Sequence, residues 1–227
     1  MKTLKIILAI LTFISISSCS KNDEPTITPV VDTKLALPTI LSNDTMFPIP
    51  DATGPNNGLA SCGIDAQPGS VVSEIVIVKD GIIKDASKVT VEIDLEHLYI
   101  SEIVIELIAP NGESCGLLKR AYAAGDNSCT NPTKLKYKIG NKLSFNSLFT
   151  GDFSLLVAPG NVPTGNYKPI GPSLGTYPVA ILMTPLNTFF TTKNIKGIWK
   201  LKAYDCSKGD IGKLNSWKIK FDTGALE

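Results

Sequence analysis

Residues 197–222 read GIWKLKAYDCSKGDIGKLNSWKIKFD. Trp199, Leu201 and Ala203 alternate with Lys200 and Lys202; Trp217, Ile219 and Phe221 alternate with Lys218 and Lys220. A period of two places successive side chains on opposite faces of a strand. The stretch therefore predicts two half-buried strands, each with a core tryptophan, joined by a polar turn at DCSKGD. An indole is a large apolar body, and at these positions it belongs to the core, not to a sugar-stacking platform.

The same period recurs upstream. VTVEIDL (89–95) sets Val89, Val91, Ile93 and Leu95 against Thr90, Glu92 and Asp94. KLKYKIG (134–140) sets Leu135, Tyr137 and Ile139 inward. EIVIVKDG (74–81) and EIVIELIAPNG (102–112) are more uniformly apolar, which predicts central strands covered on both faces. PNG at 110–112 and KDG at 79–81 are turn signals. Fifteen prolines and eighteen glycines punctuate the chain, and no stretch beyond residue 18 keeps a helical period over a dozen residues. The fold class is all-β, an antiparallel two-sheet β-sandwich. Residues 159–185, rich in Gly and Pro, are expected as loops over one end.

The first residues address location. Lys2 and Lys5 precede an apolar run, Ile6 to Ile16, too short to span a bilayer comfortably. ISSC, ending at Cys19, resembles a lipobox, which implies a signal peptide over 1–18 and lipid on the Cys19 sulfur. The chain would then be exported and held on the bacterial outer membrane or cell surface. Loss of Lys2 and Lys5 takes the formal charge from +1 to −1. A charge this small makes no case for nucleic acid as a partner. Residues 19–44 mix Pro, Thr and Asp without period and are expected as a flexible tether; about 25 such residues reach roughly 25–30 Å. The pair Asp23–Glu24 resembles surface-export signals of some lipoproteins, and solvated linker charge is the competing reading. The domain is expected over 45–227.

Four further cysteines, Cys62, Cys115, Cys129 and Cys206, form an even set in an exported domain and predict two disulfides. Three pairings are possible. Cys115 and Cys129 flank one connection and are paired here, leaving Cys62 to Cys206. There is no CxxC spacing and one histidine in the chain, so a thiol metal site is the weaker alternative.

That histidine, His97, lies in DLEHLYIS (94–101) between Asp94, Glu96 and Ser101. A triad needs a base, an orienting carboxylate and a nucleophile within reach. Along a regular strand Asp94 and Glu96 both point away from His97, so local sequence builds no dyad. GESCG (112–116) formally matches G-x-S-x-G, but that motif acts on a strained strand-to-helix turn, and here a hairpin turn precedes Ser114 and no helix follows. Lys136, Lys138, Lys200, Lys202, Lys218 and Lys220 face outward and read as a solvated, pairing-resistant sheet surface, not a polyanion site.

IPDATG, VTVEIDLEHLYISEIVIELIAPNGESCGLL, TGNYKP and GIWKLKAYDCSKGDIGKLNSWKIKF together resemble the P domain, or Homo B domain, of subtilisin-like proprotein convertases. The family's last motif is present at Gly197, Trp199, Leu201, Asp205, Gly209, Asp210, Gly212, Leu214, Trp217 and Phe221. One departure is Ser101–Glu102, where the family commonly has Gly-Asp. The resemblance covers about residues 45–222. It implies a jelly-roll-like sandwich without catalytic residues, His97 as a structural residue at a strand end, and core roles for Trp199 and Trp217. Some bacterial relatives carry calcium, so Asp51, Glu102, Asp205 and Asp210 are candidate ligands; turn capping by Asp205 and Asp210 is the competing reading. Two functions follow as expectations. One is a non-catalytic, lipid-anchored surface module showing residues 159–195 to a protein or glycan partner. The other is an accessory domain for a secreted serine protease supplied by another chain.

Overall fold

The computed structural model describes residues 34–54, 67–121, 135–157, 159–170, 179 and 181–227. Cys19, Cys62, Cys129, Asp23 and Glu24 lie outside the described residues. The strands are β1 (Thr39–Asn43), β2 (Phe47–Ile49), β3 (Gly69–Ile77), β4 (Val89–Glu96), β5 (Ile103–Ile108), β6 (Ser114–Lys119), β7 (Leu135–Lys136), β8 (Lys142–Phe145), β9 (Gly160–Asn161), β10 (Gly165–Tyr167), β11 (Gly197–Asp205) and β12 (Gly212–Phe221). Among the described residues one short α-helix, α1 (Leu186–Phe190), and three 3₁₀ turns interrupt them.

Two sheets face each other across one core. The first runs β1-β12-β4-β8-β10, with β2 also on β12; the second runs β3-β11-β5-β6. Pairing is antiparallel except for β10 on β8 and β7 on β9, which are parallel. The all-β sandwich thus stands, with two short parallel additions drawn from Gly160–Tyr167, a stretch expected to be loop. Thr39–Asn43 was expected in the tether. It pairs instead along β12 from Phe221 to Trp217, so the sandwich begins before residue 45.

The alternations at 89–95, 199–203 and 217–221 become inward faces. Val89, Val91, Ile93, Leu95, Trp199, Leu201, Ala203, Trp217, Ile219 and Phe221 are all buried. Each large side chain removed from water contributes roughly 1.5–3 kcal/mol before entropy is charged against it. The two tryptophans do not sit in adjoining strands. β11 and β12 are consecutive in sequence but belong to opposite sheets, so DCSKGD carries the chain across the sandwich. Both indole N–H groups are satisfied, Trp199 Nε1 by the Ile195 carbonyl at 2.8 Å and Trp217 Nε1 by Ser73 Oγ at 2.9 Å.

Two strand expectations are corrected. EIVIVKDG forms the end of β3, which is an edge strand, not a central one. Its outer side chains stay in solvent, Val76 62% and Val78 74% exposed. EIVIELI does become a central strand, and Ile103 to Leu107 are buried on both faces. In KLKYKIG the inward pattern fails at Ile139, which is exposed. Tyr137 exchanges backbone hydrogen bonds with His97, then the chain turns at Lys138–Asn141, with Gly140 at φ 86°.

Among the outer lysines, Lys200 pairs with Glu74 and Lys218 with Glu92 across strands, Lys220 pairs with Asp222, and Lys202 lies over the Tyr204 ring. The sheet surface is thus locally neutralised by neighbouring carboxylates.

Candidate functional site

The crossing from β11 to β12 meets the end of β4, and there three titratable side chains converge. His97 follows β4 directly. Glu102 closes the 3₁₀ turn Ile100–Glu102 that leads into β5. Asp205 is the last residue of β11, opposite Ile103 in register. Their relative exposures are 1%, 5% and 0%, so the cluster is inside the protein.

His97 Nε2 lies 3.1 Å from Asp205 Oδ2 and 4.0 Å from Glu102 Oε2. Its Nδ1 lies 2.9 Å from the Tyr99 carbonyl oxygen and 3.1 Å from the Tyr99 amide nitrogen. Asp205 Oδ1 accepts from the Ser207 N–H at 3.1 Å, which caps the start of the DCSKGD turn. The far end of that turn is held from outside: both Asp51 carboxylate oxygens accept from the Gly209 N–H at 3.1 Å. The Cys206 N–H donates to the Glu102 carbonyl at 2.9 Å, tying the turn to the 3₁₀ segment. Gly212 completes the wall. A Cβ there would come within 2.7 Å of His97 Cδ2 and 2.8 Å of the Glu96 carbonyl oxygen, so the imidazole lies against bare backbone.

Burial sets the electrostatics. It pushes the Glu102 carboxyl up to about 7, assisted by the charges of Asp205 and Asp210 and opposed by His97 and a Ser207 hydrogen bond. It also raises Asp205, against the hydrogen bond and charge of His97. Burial alone would lower His97, but the hydrogen bond and charge of Asp205 outweigh it and the imidazole is raised. Glu102 Oε2 is buried and has no hydrogen-bond partner.

Residues 86–165 match the family model of the proprotein convertase P-domain. Over those residues the chain is similar to a P-domain. The matched stretch holds His97 and Glu102, while Asp205 and Gly212 of the cluster lie beyond it. Among solved structures the chain is similar to the serine protease of Aeromonas sobria, at 19% identity over 82% of this chain and 28% of that one, TM-score 0.31. It is also similar to that protease in complex with the chaperone ORF2, at 18% identity over 83% and 28%, TM-score 0.30. The chain thus spans 28% of the length of these solved chains. No curated protein matches it.

The geometry settles how the expected residues are placed. Asp94 does point away from His97: it accepts from Lys142 Nζ at 2.7 Å and from the Gly140 N–H. Ser114 opens β6 opposite Ile108, whereas Asp205 stands opposite Ile103 at the other end of β5. Five strand residues separate the two ends, roughly 17 Å. The hairpin turn at Pro110–Gly112 precedes Ser114 and a strand follows it. Of the four acidic candidates, Glu102 and Asp205 share the cluster, Asp51 caps Gly209, and Asp210 reaches Glu102 through its charge. The His97–Asp205 pair, 108 residues apart in sequence, was not anticipated from local spacing. The only signal for it was the recurrence of both residues in the family pattern.

Cys115 and Cys206 are buried free thiols, and Cys115 Sγ lies 2.9 Å from the Thr184 carbonyl oxygen. Cys129 and Cys62, expected as their disulfide partners, lie outside the described residues.

Proposed function

We propose that this chain is a non-catalytic interaction module of P-domain type, acting on a serine protease supplied by a separate chain. The observation that carries the reading is the state of the only histidine. Both ring nitrogens of His97 are taken, one by Tyr99 backbone and one by Asp205, inside the core. A general base must reach the proton that it abstracts. This imidazole reaches neither solvent nor a serine hydroxyl in its hydrogen-bond set. It serves as a joint between the ends of β4 and β11.

The outer face of the edge strand supports an interaction role. Val72 and Val76 on β3, Val78 just after it and Ile198 on β11 are exposed, and Val76 and Ile198 stand opposite each other. Leu182 is exposed as well. Anchoring through lipid on Cys19, with the domain outside the cytoplasm, completes the proposal. It rests on the lipobox-like ISSC and on the apolar run before it. No helix among the described residues is long and apolar enough to cross a membrane.

The test is stabilisation in trans. A subtilisin-like protease lacking its own P-domain is heated with and without the purified chain. Slower inactivation, weakened by Val76→Asp and Ile198→Asp, supports the assignment. Unchanged inactivation, with no complex by gel filtration, rejects the protease role and leaves a surface module for another protein or a glycan. Labelled palmitate on the wild type but not on Cys19→Ser supports the anchor.

A further inference from the structure

We infer that His97, Glu102 and Asp205 form a three-donor site for a divalent ion of the zinc class. Their ligand atoms lie within 4.8 Å of one another, one nitrogen and two carboxylate oxygens. Zinc bonds of about 2.0–2.2 Å in a tetrahedron set neighbouring donors roughly 3.3–3.5 Å apart. The observed 3.1 Å and 4.0 Å separations bracket that spacing.

Two further observations point to a cation. Glu102 Oε2 is buried, has no hydrogen-bond partner, and faces Nε2. A carboxylate oxygen in such a position is costly unless positive charge meets it. The second is the outer nitrogen. Metal-bound histidines generally donate their other N–H to a backbone carbonyl or carboxylate, which fixes the tautomer. His97 Nδ1 lies 2.9 Å from the Tyr99 carbonyl oxygen in that arrangement. With the proton on Nδ1, Nε2 and Asp205 Oδ2 would be two lone pairs 3.1 Å apart, and a cation between them resolves the conflict. The imidazolium puts a proton there instead, as does the other neutral tautomer, with Nδ1 then accepting from the Tyr99 N–H. The experiment separates metal from proton.

The donor set does not fit calcium, the ion that the family resemblance implied. Calcium takes six to eight oxygens. Here the cluster offers two carboxylates, a nitrogen occupies the third position, and Asp51 is spent on the Gly209 N–H. Imidazole with carboxylates suits zinc, cobalt or nickel.

Because His97 is the only histidine, every imidazole ¹⁵N signal reports on it alone. The purified chain, stripped by chelator, is titrated with Zn²⁺ while these signals and the melting temperature are followed. The expected result is one equivalent bound, a shift of the Nε2 signal, a higher melting temperature, and visible d–d bands when Co²⁺ replaces Zn²⁺. Glu102→Gln, checked for native circular dichroism, should weaken binding by roughly tenfold or more; Asp205→Asn provides a second removal if Glu102→Gln does not fold. An unmoved Nε2 signal at saturating Zn²⁺ would overturn the inference and assign the proton to the bridge. Undiminished Zn²⁺ affinity in a folded Glu102→Gln would overturn it equally, as would a response to Ca²⁺ alone.

Discussion

Trp217 Nε1 donates to Ser73 Oγ at 2.9 Å, a side-chain hydrogen bond from β12 in one sheet to β3 in the other. Both residues are buried, and the bond gives the indole its polar partner inside the core. Ser73→Ala should leave that N–H unsatisfied and cost about 1–3 kcal/mol in urea unfolding. Loss of less than a few tenths of a kcal/mol would mean the bond contributes nothing to holding the sheets together.

Gly212→Ala tests the packing of the imidazole. The new Cβ would sit 2.7 Å from His97 Cδ2 and 2.8 Å from the Glu96 carbonyl oxygen, and backbone cannot give way cheaply. The variant should be destabilised by about 2 kcal/mol or more, as overpacked sites are. An unchanged midpoint in thermal or urea unfolding would contradict the close approach of His97 to β12.

Tyr137→Phe makes the opposite forecast. The Tyr137 hydroxyl is buried without a hydrogen-bond partner, and burial raises its pKa. Removing an unsatisfied buried polar group is neutral or stabilising. Its melting temperature should stay level or rise. A fall equivalent to about 1 kcal/mol or more would reveal a partner for that hydroxyl.

The thiols give a chemical test. Burial pushes Cys115 and Cys206 up to about 12, so neither is thiolate at neutral pH. Both should resist alkylation in the folded chain and react once it is unfolded without reductant. Alkylation of either in the native state would contradict the burial. Silence after unfolding until reductant is added would assign them to the expected bridges with Cys129 and Cys62.

Asp152 supplies the pH dependence. The Lys168 ammonium and the Ser154 hydroxyl and N–H hold its carboxyl down to about 2 from 3.8. A depressed carboxylate stabilises the fold above its unfolded pKa, and that contribution is lost as pH falls through the folded value. The pair is partly in solvent, so Asp152→Asn should cost on the order of 1 kcal/mol or less at pH 6. The gap from wild type should close between about pH 4 and pH 2. A gap constant across that window would rule out charge as its source.

Much of the core was legible because a period of two survives wherever one face is wet. Val89 to Leu95, Trp199 to Ala203 and Trp217 to Phe221 all obeyed it. Hydropathy alone could not rank the strands laterally. EIVIV and EIVIEL look alike, yet one became an edge and the other a centre, because sheet order is fixed by distant pairings such as Lys202 with both Val72 and Glu106. The sheet assignment of the tryptophans was hidden for the same reason: a six-residue turn reads alike whether it closes a hairpin or crosses a sandwich. At the site, Glu102 and Asp205 were both singled out as acids, but their meeting with His97 is a tertiary fact that spacing along the chain does not encode.

His97 is a buried joint whose ring nitrogens hydrogen-bond to no serine hydroxyl among the described residues. The most direct measurement is peptide and casein hydrolysis by the purified chain, run beside Ser114→Ala at matched concentration. The account predicts no turnover that distinguishes the two proteins. Turnover in the wild type that disappears with Ser114→Ala would contradict it.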